Sequence, residues 1–107
     1  MKNGITMRKD KIYWKKQIIG FLLNGRRDNF DLYGEWLPIQ SNILDSFIEE
    51  IERDDDNVYV CVGDDSQGVI GNVGDVPDSQ ISIRCRGAYK DINTVEDTKE
   101  FYNNLHY

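Results

Sequence analysis

At Arg53 the hydrophobic period of this chain changes, and that change limits what it can fold into. Before it, Ile43, Leu44, Phe47, Ile48 and Ile51 recur at helical spacing and fill one arc of roughly 140° on a helical wheel. After it come short β-branched runs. Val58–Val62 is apolar on both faces, as a strand covered on both sides must be. Val69–Val73 is a second such run, joined to the first by the turn-forming stretch Gly63-Asp64-Asp65-Ser66-Gln67-Gly68. Gly74 to Asp78, with Pro77, makes a further turn. Gln80 to Tyr89 then alternates, placing Ile81, Ile83 and Cys85 inward and Ser82, Arg84 and Arg86 outward. Thr94 with Asp97 forms a capping box that opens a last helix, carrying Val95, Thr98, Phe101, Tyr102 and Leu105 on one side.

The first third reads as helix. Asp10 is a good N-cap, Gly25 a good residue just past the end, and Ile12, Tyr13, Trp14, Ile18, Ile19, Phe21, Leu22 and Leu23 lie between them. Phe30 to Leu37 has a weak period of two, with Phe30, Leu32 and Trp36 on one side and Asp31, Tyr33 and Glu35 on the other. Pro38 suits the first turn of the second helix, in which Glu49 and Arg53 make an i, i+4 pair. The expected class is therefore α+β: a small antiparallel sheet of three to four strands with two to three helices packed on it. At 107 residues the chain is expected to be one domain, 1–107, with Met1–Lys9 frayed.

Charge is sorted along the same chain. Residues 1–29 hold eight cations against Asp10 and Asp28. Residues 45–78 hold eleven carboxylates against Arg53 alone, a contrast that the net charge of −6 conceals. Such a concentrated acidic block draws in a basic partner and speeds encounter. Asp54, Asp55 and Asp56 also follow the negative end of the helix macrodipole, where each carboxylate costs about 0.3–1 kcal/mol at low salt. The alternative is that these acids only solubilise the domain and guard sheet edges. Asp45, Glu49, Glu52, Asp54, Asp55, Asp56, Asp64 and Asp65 are the candidate partner-binding carboxylates. Tyr33, Trp36 and Tyr59 are neighbouring aromatics of the types that anchor interfaces.

The residues for catalysis do not assemble into a motif. His106, the only histidine, stands one residue from the end. Asp54-Asp55-Asp56-Asn57 and Asp64-Asp65 offer hard oxygens, but the spacing of an EF-hand is absent. Gly63 and Gly68 resemble the outer glycines of a phosphate loop, yet no Gly-Lys-Ser/Thr follows. Cys61 and Cys85 read as buried thiols. Lysines interleaved with Tyr13 and Trp14 make a nucleic-acid contact conceivable, against a pI of about 4.6. No apolar run approaches the ~18–20 residues of a membrane span, and no signal peptide is seen. The expectation is a cytoplasmic, non-enzymatic protein without cofactor, monomeric when alone; were the half-exposed strand at Gln80–Tyr89 an edge, it could pair with a second copy or a partner's strand.

In size, charge and missing catalytic chemistry, over the whole chain, it resembles the immunity proteins that bacteria keep against polymorphic or contact-dependent growth-inhibition toxins. It is similar in profile to phage-encoded inhibitors of host defence proteins. The resemblance implies an inhibitory binding protein that covers the basic active site of a toxin domain, a nuclease for preference. It carries no motif, so it assigns no residue. A phage-type inhibitor of a host defence protein and a small nucleic-acid-binding regulator using the basic N-terminus are the alternatives.

Overall fold

Lys9–Trp14 (β1) buries Ile12 and Trp14 and exposes Lys9 and Lys11, which is strand alternation and not a helical arc. Only Lys15 and Lys16 separate it from Gln17–Asp28 (β2), and Trp14 pairs with Gln17 across that turn. Both lysines take left-handed φ values, 51° and 69°, as a type I′ hairpin turn requires. The helix expected over residues 10–24 is thus corrected to a β-hairpin. Two bulges in β2 explain why its alternation is hard to read. Ile19 is extra against β1, and the pair Asn24 and Gly25 faces the single Gly34 of the next strand.

The computed structural model describes residues 8–53, 58–63 and 68–88. Asp31–Pro38 (β3) pairs antiparallel with β2, and Asn42–Arg53 (α1) follows. Pro38 ends β3 and does not begin the helix. Ser41 caps the helix instead, its Oγ accepting a hydrogen bond from the Leu44 amide at 3.1 Å. Tyr59–Val62 (β4), Val69–Val73 (β5) and Gln80–Ala88 (β6) then make a second antiparallel meander.

The two meanders close on each other. β6 pairs with β3 from Glu35↔Gln80 to Asp31↔Arg84, and β4 pairs with β1 at Ile12↔Val62 and Tyr13↔Cys61. The result is a closed barrel in the order β1-β2-β3-β6-β5-β4. This overturns the α+β expectation: the described residues form six antiparallel strands and one helix, not an open sheet under two to three helices. Closure also means that Gln80–Ala88 is not an edge strand, because β6 is paired on both sides. The inward set Ile81, Ile83 and Cys85 and the outward set Ser82, Arg84 and Arg86 are as the alternation requires. The capping box at Thr94 and the helix after it lie outside the described residues, as do Met1–Met7.

The barrel interior is filled by Ile12, Leu22, Val60, Val62, Val73, Ile81 and Ile83, all buried. Helix α1 stops one end of it. Phe47, with no exposed surface, packs edge-on to Trp14 at 5.7 Å between ring centroids and tilted to Trp36 at 6.4 Å. The Trp36 ring in turn lies against the backbone of Gly20, where a Cβ would come within 2.7 Å of it. A glycine in β2 is what lets the indole reach the helix.

Candidate functional site

The helix that seals the barrel also presents the acidic ridge. Leu44, Phe47 and Ile51 are buried, so the residues on the far side must face water. Asp45, Glu49 and Glu52 are exposed there and run along one side of α1. No ion pair to any of the three is formed within the described residues. Arg53 does not join Glu49 as the i, i+4 spacing implied. Its Nη1 pairs with Glu50 Oε1 at 2.9 Å, three residues back, leaving Glu49 to the ridge. The ridge is thus a row of solvated carboxylates on a helix that Phe47 fixes to the core.

The other candidates disperse. Asp54, Asp55, Asp56, Asp64 and Asp65 lie outside the described residues. Trp36, 7% exposed, belongs to the core and meets Phe47 from within. Tyr59 is half-buried on β4, opposite Asn72. Tyr33 is 38% exposed on the outer wall of the barrel, between Arg26 of β2 and Ser82 of β6. The structure therefore does not gather the aromatics with the helical acids into one patch.

Tyr33 has its own setting, to which the sequence offered a partial signal. It borders two clefts, one of about 420 Å³ with Asn72, Asp75, Ser82 and Arg84, the other of about 310 Å³ with Arg26, Glu35 and Gln80. Within the larger, Arg84 Nε lies 3.6 Å from Asp31 Oδ1. The outward arginines of β6 were visible in its alternation, but their meeting with Asp31 depends on the β3–β6 pairing that no local pattern encodes.

Cys61 and Cys85 are buried and no disulfide joins them. Burial raises the Cys85 thiol above its ordinary value; nearby Arg27 opposes the rise and Asp31 adds to it. A thiol held protonated in this way is a poor nucleophile. Among the described residues, no three His, Cys, Asp or Glu side chains converge as metal ligands, and no helix is long and apolar enough to cross a membrane. Comparison with known protein families, with curated proteins and with solved structures finds no match to this chain.

Proposed function

We propose that this chain is an inhibitory binding protein whose acidic helix covers a basic surface on a protein partner, in the manner of a toxin immunity protein. The observation that carries the reading is the row of Asp45, Glu49 and Glu52, exposed on one rigid helix and without an ion pair among the described residues. Carboxylates so placed contribute little to folding. Held by Phe47 against the two indoles, they are pre-positioned, which lowers the ordering cost of binding. A nuclease is the partner class that fits, because nucleases hold phosphates with Lys and Arg that an acidic ridge can engage.

The test starts from the partner that co-purifies in stoichiometric amount with tagged protein from its native lysate. Association is then measured against a variant carrying Asp45→Lys, Glu49→Lys and Glu52→Lys. The reversed ridge should slow association by at least ten-fold at low salt and abolish protection from the partner's activity. Equal on-rates and equal protection would contradict the proposal.

A further inference from the structure

The face of the barrel formed by the β1–β2 hairpin has the opposite character. Its outer wall carries Lys9, Lys11 and Arg26, with Lys15 and Lys16 at the hairpin turn, whereas Arg8, Asp10 and Arg27 lie together on the other side of the strands. Asp10 is already paired, 3.2 Å from Arg8 Nη2. The registers Lys9↔Leu23, Lys11↔Phe21 and Tyr13↔Ile18 put all six residues on the outer wall, away from Ile12 and Leu22. Lys9 and Lys11 are exposed, while Tyr13, Ile18, Phe21 and Leu23 are half-buried. Leu37, 43% exposed, extends the apolar strip onto β3, and Glu35 opposite Leu23 is the carboxylate that bounds it.

One contact fixes how this surface meets a ligand. The Lys9 ammonium sits over the Phe21 ring, 4.2 Å from its centroid. The outer π-face of the ring is therefore covered by the side chain of an exposed lysine and not by the core, and a flat group can replace the ammonium there. Lys9 and Lys11, two residues apart on a strand, stand about 6.8 Å from each other along it. A displaced Lys9 would keep its charge beside whatever stacks on Phe21.

We propose that this outer face binds single-stranded nucleic acid, a base stacking on Phe21 with phosphates on Lys9, Lys11 and Arg26. Local charge decides such binding, so the acidic pI of the whole chain does not oppose it. The surface uses no residue of the acidic helix, and it stands or falls independently of the inhibitor reading. It also differs from what the sequence alone implied, since Trp14 is buried and Phe21 takes its place as the stacking group.

The experiment is fluorescence anisotropy of a labelled oligothymidylate with the full chain at about 50 mM salt. Saturable binding is expected, and three phosphate contacts predict a slope of log K on log salt of about −2, or about 16-fold weakening on going to 200 mM. Lys9→Glu combined with Lys11→Glu should abolish binding, and Phe21→Leu, which keeps an apolar side chain, should weaken it about ten-fold. Arg84→Gln, on β6 and off this face, should bind as the parent does. Circular dichroism of each variant checks that the barrel is intact. Absence of binding at 50 mM salt overturns the proposal, as does equal loss in Arg84→Gln. Undiminished binding by Phe21→Leu, or displacement by polyglutamate as effective as by unlabelled oligonucleotide, overturns it too, because the surface would then be a generic anion exchanger. Sedimentation with phosphatidylglycerol vesicles in place of oligonucleotide binding would also overturn it.

Discussion

The outer side of α1 and the outer side of the β1–β2 hairpin carry opposite charge in a chain of 107 residues. On the helix, Asp45, Glu49 and Glu52 stand in water over an apolar underside. On the hairpin, Lys9 and Lys11 flank half-buried Tyr13 and Phe21. The net charge of −6 thus describes neither surface. It governs solubility and general repulsion, whereas each face presents its own sign to whatever approaches within about 8 Å, the screening length at physiological salt. The two are joined mechanically through the indoles, since Trp14 ends β1 and packs on Phe47 of α1.

Breaking that joint should give the largest effect. Phe47→Ala removes the ring between Trp14 and Trp36, and the expected loss of stability in urea unfolding is about 3–5 kcal/mol. A loss under about 1 kcal/mol would mean that the helix is not the stopper of the barrel. Gly20→Ala tests the same joint from the other side. The added methyl has to displace the Trp36 ring or the Leu37 carbonyl, so about 1–3 kcal/mol is expected from overpacking. The indole fluorescence should shift with it.

A helix cap tests the acidic side separately. Ser41→Ala removes the acceptor for the Leu44 amide, and about 1 kcal/mol should be lost. Thermal unfolding measures it, and an unchanged midpoint would show that the cap is redundant. Reversing the three ridge carboxylates should alter stability by less than about 0.5 kcal/mol, because the loss of Asp45 from the first turn of α1 and the removal of Glu52 from its last turn act oppositely on the helix dipole, and exposed groups without ion pairs otherwise contribute little. It would sharpen the contrast by separating binding from folding.

The smallest effect is expected at Cys85. Its raised value means that the folded state holds the proton more tightly than the unfolded chain. Its contribution is intact below the ordinary thiol range, near 8.5, and declines as pH rises through the raised folded value. Melting temperatures between pH 8 and 10 should fall more steeply for the parent than for Cys85→Ala. Parallel curves would show that this thiol contributes nothing to the pH dependence of stability.

The second meander could be read directly from the sequence, while the first could not. Glycines at 63, 68 and 74 and Pro77 punctuate β4, β5 and β6, and alternation from Ile81 to Cys85 assigns the faces. In the first meander the turn is Lys15-Lys16, with neither the Gly nor the Asn that marks a tight hairpin. The bulges at Ile19 and at Asn24-Gly25 then scramble the period of two into something that fits a helix. Closure of the barrel rests on β1–β4 and β3–β6 pairings between distant segments, and no local pattern carries those. For the site, helical spacing sufficed to place Asp45, Glu49 and Glu52 on one ridge. Tyr33 and Trp36 fall on opposite faces by strand alternation, but which face is inside depends on the barrel. The half-exposed Phe21 was hidden by the helical reading of β2.

If the acidic helix is the surface that the partner meets, binding must perturb α1 first. Amide shifts of the labelled protein, titrated with the partner recovered from the native lysate, test it most directly. The largest changes and line broadening are expected on residues 45–52 of α1, with the outer wall of β1 and β2 unmoved. Changes centred instead on Tyr33 and its clefts, or on Lys9 to Phe21, with α1 silent, would contradict it.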